Sequence, residues 1–226
     1  MRTILQAVFA VLLIGSAELA KAGHHEDALN IEQLAQAFGW DLESADIQSQ
    51  KVADGLYVLF GIGGNIAVSI GEDGVLIVDD QLPQVMDKIE AAISKIGGGK
   101  IDYAINTHWH FDHAEGNNAL GPKGTTIVAH SNARADMQQG GIVNMVVAKY
   151  NQQPYPKEAL PVFTYDKGMQ IHFNQGEIDL RNFSSAHTNG DTVVIFKAHN
   201  AVHMGDVFNN AGYPFIDVDS GGSIDG

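Results

Sequence analysis

The sequence predicts an α/β fold in which two β-sheets pack against each other and helices cover them from outside. The chain has 226 residues, of which 45% are hydrophobic, and this is enough to bury the core of a single domain. Predicted strands come first, then strands alternate with helices, and then strands return. Residues 75–78 are apolar throughout, as in a strand that is buried on both faces.

Residues 1–22 are predicted to be a secretion signal. Arg2 supplies a positive charge at the start, residues 4–15 form a short and mostly apolar run, and residues 20–22 give a small-x-small cleavage site. The apolar run is too short to span a bilayer and no later segment reaches the required length, so we expect no membrane span. The expected location of the mature protein is therefore secreted or periplasmic.

The remainder divides into two parts. Residues 23–50 are polar and predicted to be helical in part, because Ile31, Leu34 and Phe38 are spaced for one face of a helix. Residues 51–226 are expected to form the main domain, which begins with strands joined by tight turns.

The strands and helices of the main domain follow from apolar patterns and turn residues. The predicted strands cover residues 56–60, 65–70, 75–78, 101–106, 126–129, 169–173, 178–183, 192–196 and 201–204. The predicted helices cover residues 83–96 and 132–139. Residues 140–165, with two adjacent glycines and three prolines, are predicted to be a long loop or a short helix that borders a site.

Charge and cysteine content limit the possible partners and ligands. The chain has 27 acidic and 13 basic residues, for a net charge of −14, and such a surface repels phosphate backbones, so no nucleic-acid partner is expected. Cysteine is absent, so disulfides are excluded and a metal site has to use His, Asp and Glu. The ten histidines need an explanation in such a chain.

The histidines concentrate in residues 107–113, directly after a predicted buried strand. Alternate residues of an extended stretch share a face, so His108, His110 and Asp112 can converge on one point. His113 breaks this alternation, and a turn there would let it approach from another direction. Three imidazoles and one carboxylate this close together cannot all be buried without a cation. These groups suit zinc, or manganese or iron in a site richer in oxygen.

Two further candidates lie far along the chain, each next to a predicted strand. His187 comes shortly before the strand at residues 192–196, and Asp206 directly follows a short apolar strand. Gly205 precedes Asp206 and relieves crowding where the backbone turns. His203, inside that last strand, is expected to point elsewhere as a packed or surface histidine.

Together these segments resemble the metallo-β-lactamase superfamily. Residues 108–113 match its HxHxDH signature, His187 with the following Thr188 resembles its later histidine motif, and Asp206 resembles its bridging aspartate. The resemblance covers about residues 50–226. It implies a four-layer αββα sandwich with the metals at the edges of the sheets, in agreement with the fold class predicted above.

The resemblance also implies two zinc ions. It implies that the first is held by His108, His110 and His187. The second would be held by Asp112 and His113, and Asp206 would lie between the two ions. A metal-bound hydroxide would attack the carbonyl of a small-molecule substrate, namely a β-lactam, lactone, ester or thioester. Asp112 would also orient the attacking group or pass a proton to the leaving group.

Two features depart from the family pattern. The superfamily usually supplies one more histidine to the second metal from a strand nearer the C-terminus, and no histidine follows His203. We therefore expect that the last strands and the outer helix of the second half are missing from this sequence. The zinc β-lactamases with this signature also carry cysteine at the position of Asp206, whereas aspartate is typical of thioesterase and lactonase branches. The resemblance predicts a hydrolase but no particular substrate.

Asp79 and His130 are candidates for supporting roles. Asp79 ends a buried strand near the site and is expected to accept a hydrogen bond from a ligand histidine, which fixes its tautomer. His130 ends another strand at the same edge. It has either a supporting or substrate-contacting role there, or a simple capping role.

A competing hypothesis for the whole chain is a non-hydrolytic metal protein of the same fold. It would be either an iron protein that handles oxygen or electrons, or a periplasmic accessory protein. Metal content separates the two hypotheses, because the hydrolase is expected to carry about two zinc ions per chain.

Overall fold

The computed structural model describes residues 28–210 and 212–226. The predicted signal at residues 1–22 lies outside these residues. Within them, the chain forms two β-sheets, a two-stranded hairpin and five α-helices. No helix in the described part is long and apolar enough to cross a bilayer.

The larger sheet has seven strands in the order β1-β2-β3-β4-β5-β6-β9. These strands are β1 (Gln48–Ala53), β2 (Leu56–Phe60), β3 (Ile66–Gly71), β4 (Gly74–Val78), β5 (Ile101–Ile105), β6 (Thr126–His130) and β9 (Phe163–Tyr165). The pairs β1–β2, β2–β3 and β3–β4 are antiparallel, whereas β4, β5, β6 and β9 run parallel to one another. The segments that follow β4 and β5 therefore emerge side by side at one edge of the sheet.

The smaller sheet has four antiparallel strands in the order β10-β11-β12-β13. They are β10 (Gly168–Phe173), β11 (Gly176–Arg181), β12 (Val193–Phe196) and β13 (Ala201–His203). A separate hairpin consists of β7 (Gly141–Asn144) and β8 (Lys149–Gln152).

The helices are α1 (Ile31–Phe38), α2 (Met86–Lys95), α3 (Phe111–Ala114), α4 (Asn117–Leu120) and α5 (Ser131–Gln139). A capping box formed by Asn30 and Gln33 begins α1, and Gly39 ends it in the left-handed conformation. A 3₁₀ turn at Pro83–Val85 leads into α2.

Two apolar cores hold three layers together. The first lies between the helices and the larger sheet, and includes the fully buried Leu34, Ile77 and Ile89. The second lies between the two sheets, where Ile105 of the larger sheet packs in the same cluster as Leu180 of the smaller one. The described helices contribute to the first core and not to the second. The layer order is therefore helices, larger sheet, smaller sheet.

The predicted strands and the helices at residues 83–96 and 132–139 are confirmed, with shifts of a few residues at their ends. Strand β1 was not predicted, because its side chains are exposed or half-buried and lack an alternating pattern. The prediction of a loop or short helix over residues 140–165 is wrong, because this region contains β7, β8 and β9. Each of these strands has three or four residues, too few for an alternating pattern to appear.

Candidate metal centre

The histidine segment lies at the edge of the larger sheet, between β5 and α3. His110 is the last extended residue before α3, with φ −61° and ψ 147°. Asp112 and His113 lie on the single turn of α3. They therefore approach from a different direction than His108 and His110, which precede the helix.

Three imidazole nitrogens meet at one point of this edge. His187 Nε2 lies 2.9 Å from His110 Nδ1 and 3.2 Å from His108 Nε2. All three side chains are buried. Nitrogen ligands at 2.0–2.1 Å from a tetrahedral zinc ion would be separated by about 3.3 Å. The observed spacing is that of three ligands to one ion.

Hydrogen bonds on the far side of each ring determine which nitrogen carries the proton. Thr107 Oγ1 donates its only proton to Asp79 Oδ2 at 2.9 Å, so it accepts from His108 Nδ1 at 3.0 Å. His187 Nδ1 donates to the carbonyl oxygen of Phe215 at 2.7 Å, because a carbonyl has no proton to give. In both rings, the Nε2 atom that faces the cluster is left with a lone pair.

His110 also donates a hydrogen bond from the ring nitrogen that faces away from the cluster, but in this ring that nitrogen is Nε2 and not Nδ1. Its Nε2 donates to Asp217 Oδ2 at 2.8 Å, and this leaves the lone pair on Nδ1. Ser220 Oγ donates to the same carboxylate oxygen at 2.5 Å, and Trp109 Nε1 donates to Ser220 Oγ at 3.1 Å. Three lone pairs thus converge without a proton between them, and this arrangement is repulsive unless a cation lies among them.

A second group of potential ligands shares His108 with the first. His108, His113 and Asp206 offer ligand atoms that all lie within 4.8 Å of one another. Asp206 lies between the two groups, because its Oδ1 is 3.1 Å from His113 Nε2 and its Oδ2 is 3.8 Å from His187 Nε2. Asp112 Oδ2 is 3.6 Å from His113 Nε2. The structure therefore brings the six residues that the sequence singled out as candidate metal ligands into one cluster.

Burial keeps two histidines of the first group neutral. It lowers the pKa of His108 well below its ordinary value, and the neighbouring imidazoles of His113, His187 and His110 lower this pKa further. The pKa of His187 is also lowered, by burial and by His110. Neutral imidazole is the form that binds a metal ion.

His113 behaves in the opposite way. Burial alone would lower its pKa, but the carboxylates of Asp112, Asp206 and Asp79 outweigh burial and raise the pKa of His113 well above its ordinary value. Burial would raise the pKa of Asp206, but His113 outweighs it and lowers this pKa below its usual range. The same carboxylates that hold a proton on His113 Nε2 would hold a divalent cation in its place. The donor set therefore fits zinc in both groups.

Asp79 supports the cluster from the end of β4. Its buried carboxylate accepts hydrogen bonds from Thr107 N at 2.7 Å and from His113 Nδ1 at 2.7 Å. Its φ of 64° lies in the left-handed region, which Asp adopts more readily than most residues. The sequence predicted a hydrogen bond between Asp79 and a ligand histidine, and the structure shows one to His113.

Backbone rather than side chain forms the walls next to this cluster. Gly205 has φ 51°, and a Cβ atom on it would lie 2.6 Å from Thr107 Oγ1, so the turn that carries Asp206 requires glycine. In the loop of residues 61–65, a Cβ atom on Gly64 would overlap the ring of His113. Both turns can pack this closely because no side chain intervenes.

His130 does not contact the cluster. Its Nε2 donates to the carbonyl oxygen of Asp166 at 2.8 Å, and its Nδ1 accepts from the backbone N–H of Asn132 at 3.1 Å. The bond from Asn132 caps α5, and the two bonds together use both ring nitrogens. Of the two roles that the sequence left open for His130, the structure supports capping and not a role next to the metal ligands.

Sequence reasoning missed the supporting role of residues 215–220. Asp217 and the carbonyl of Phe215 orient two ligand histidines, although neither was singled out. Asp217 precedes the Ser220-Gly221-Gly222 turn, and its carboxylate accepts from the backbone N–H of Ser220 at 3.2 Å. Nothing in this local pattern indicates that Asp217 contacts His110.

A cavity of about 590 Å³ opens beside His113 and Asp206. The loop of residues 61–65 forms part of its wall, and Met204 and Phe208 lie on it as well. The side chain of Asp206 is 43% exposed, so a molecule in this cavity can reach it.

Comparison with known proteins identifies a family. The family model of the metallo-β-lactamase superfamily matches residues 61–226. The comparison with curated proteins gives no match.

Solved structures share the fold at low identity. A Cronobacter sakazakii metallo-β-lactamase with a HARLDQ motif is 20% identical, with a TM-score of 0.63 over 81% of this chain and 69% of that one. BJP-1, a subclass B3 metallo-β-lactamase of Bradyrhizobium japonicum, is 19% identical, with a TM-score of 0.56 over 68% of this chain and 58% of that one. FEZ-1 from Legionella gormanii is 18% identical, with a TM-score of 0.59 over 80% of this chain and 71% of that one. The family model and the shared α/β fold agree, and the chain belongs to the metallo-β-lactamase superfamily.

Proposed function

We propose that the chain is an exported zinc-dependent hydrolase that cleaves the bond between a carbonyl carbon and its leaving group in a small molecule, namely a β-lactam, lactone, ester or thioester. The observation that carries this proposal is the convergence of three imidazole lone pairs, with nitrogens 2.9 and 3.2 Å apart, beside a second group that contains carboxylates. When bound, zinc would supply Lewis-acid polarisation of the carbonyl and would acidify the attacking water.

The proposed ligands divide between two ions that share one carboxylate. The first ion would be held by His108, His110 and His187. The second would be held by Asp112 and His113, with Asp206 between the two ions.

Asp112 is proposed to move the proton during hydrolysis. Its side chain is 25% exposed, so it can contact both an attacking water and a bound substrate. Burial raises the pKa of Asp112, and the nearby Asp206 raises it further, whereas His113 and His110 lower it. A carboxylate with a raised pKa can accept a proton from the attacking water and return it to the leaving group.

Metal content of the purified protein tests this proposal first. We expect about two zinc ions per chain. His110→Ala should remove a ligand of the first ion and abolish metal binding and hydrolysis together. His172→Ala is a matched control, because His172 lies exposed on β10 and should leave both unchanged. Iron as the bound metal, or unchanged turnover of the His110 variant, would refute the assignment.

A panel of chromogenic β-lactam, lactone, ester and thioester substrates then defines the bond that is cleaved. Zinc-loaded protein should hydrolyse at least one class, and Asp112→Asn should lower kcat for that class by at least about 100-fold. A zinc-loaded protein that hydrolyses none of these classes would instead support the non-hydrolytic alternative.

A further inference from the structure

We propose that His203 is a positioning residue that ties the turn carrying Asp206 to the loop of residues 61–65, and so sets the geometry of the second metal group. This inference rests on the two-ion centre of the proposed function. It assigns a role to a histidine that the sequence suggested was only packed or exposed.

The hydrogen bonds of His203 define its role. The backbone N–H of Gly205 donates to His203 Nδ1 at 3.3 Å, so Nδ1 carries no proton and Nε2 carries it. His203 Nε2 donates that proton to the carbonyl oxygen of Asn65 at 2.9 Å. One imidazole therefore joins the backbone of Gly205 to that of Asn65, which lies 138 residues before His203 in sequence.

Each segment that His203 joins also contacts the second metal group. On one side, Gly205 directly precedes Asp206, whose Oδ1 lies 3.1 Å from His113 Nε2. On the other side, the backbone N–H of Gly64 donates to the carbonyl oxygen of Asp112 at 3.0 Å.

Gly64 and Gly205 contribute no side chain to a contact between the two segments. Gln81 Nε2 donates to the carbonyl oxygen of Gly64 at 2.6 Å and so holds the loop of residues 61–65. His203 is half-buried and lines the cavity together with Asn65 and Asp206. Its imidazole connects the two segments directly.

The expected effect is selective for one metal ion. The proposed ligands of the first group are oriented by Thr107, Asp217 and Phe215, whereas the two hydrogen bonds of His203 go to Asn65 and Gly205. Removing its ring should leave the first ion bound as before and should weaken the second by about 10- to 100-fold, as is typical when an outer support of a metal site is lost.

The experiment titrates metal-free protein with zinc and with cobalt(II), and measures the stoichiometry and affinity of each equivalent by chelator competition and by cobalt absorption. His203→Ala should retain the first equivalent at wild-type affinity and lose affinity for the second. His203→Gln places an amide N–H close to the position of Nε2 and should recover part of the affinity. His203→Asn keeps only an acceptor near Nδ1 and should recover less.

His172→Ala is the matched control and should bind both equivalents like the wild type. The proposal is overturned if all three His203 variants bind the second equivalent like the wild type, if they weaken both equivalents alike, or if the wild type binds one equivalent only. If the Ala variant does not fold, the difference between the Gln and Asn variants decides the question. Because the readout is metal affinity, a protein that shows this pattern but hydrolyses no substrate would refute the proposed function and leave the role of His203 intact.

Discussion

Single residues determine which ring nitrogen carries the proton in each histidine of the first group. Thr107, Phe215 and Asp217 each engage the ring nitrogen that faces away from the first group. The rings are therefore already turned with their lone pairs inward, so an ion that binds has little ordering to impose.

The carboxyl group of Asp136 should make the free energy of unfolding depend on pH. Burial, helped by Asp217 and opposed by His110, raises the pKa of Asp136 from 3.8 to about 6. Its Oδ2 atom has no hydrogen-bond partner among the described residues. Because the folded pKa is above the unfolded one, the contribution of this carboxyl to the free energy of unfolding should fall as pH rises from about 4 to about 6 and should then stay constant.

Asp136→Asn should remove this loss and make the protein more stable than the wild type at pH 7.5. A shift of about two units corresponds to about 3 kcal/mol, and the partial exposure of this half-buried side chain reduces the expected gain to about 1 kcal/mol. Urea unfolding at pH 4.5 and 7.5 in the presence of a chelator measures it. Asp166→Asn, at an exposed aspartate, is the control, and an equal gain at both pH values would contradict the explanation.

The turn of the β7–β8 hairpin has a strained backbone. Val146 has φ 70°, a left-handed conformation that costs a β-branched residue about 1–2 kcal/mol, and 87% of its surface is exposed. Its side chain therefore contributes little packing to offset this cost. Val146→Asn should increase the free energy of unfolding by about 0.5–1 kcal/mol, because Asn adopts this conformation more readily.

Thermal or urea unfolding of the Val146 variant checks this expectation. The adjacent Val147 is 81% exposed and lacks a positive φ, so Val147→Asn is a matched control that should bring no gain. Equal stabilisation by the two substitutions would point to lower surface hydrophobicity and would argue against backbone strain.

For the whole molecule, the candidate metal centre joins the two sheets. Its ligands come from the segment after β5 of the larger sheet, and from the residues before β12 and after β13 of the smaller sheet. Zinc should therefore stabilise the folded protein, by about 2.7 kcal/mol when free zinc is 100 times the dissociation constant. Thermal unfolding with zinc and with a chelator measures this difference.

His187→Ala tests whether the link between the sheets matters. The variant keeps Asp206 and the ligands at residues 108–113, and the latter are neighbours in sequence that can bind zinc in the unfolded chain as well. Binding to both states contributes little to stability, so the zinc-dependent increase in Tm should fall to the part that the second group, through Asp206, still supplies. A full increase in this variant would show that the sheets are not coupled through the ion.

The sequence predicted those parts of the fold and the site that depend on local pattern. Strand ends, the spacing of residues 108–113 and the glycine before Asp206 all follow from short stretches of chain. Asp217 could not be predicted in this way, because it contacts His110 from 107 residues further along and lies in no periodic element. The strands within residues 140–165 were missed for another reason, since each depends on its partner strand more than on its own composition.

The wall that Gly63 and Gly64 form beside Asp112 and His113 has a consequence for protein engineering. A side chain at Gly64 would collide with His113, so this wall tolerates almost no variation. Libraries that aim to change which molecules the cavity accepts should leave it untouched and diversify Met204 and Phe208, which also line the cavity. A successful selection would then accumulate substitutions at such positions and none at the two glycines.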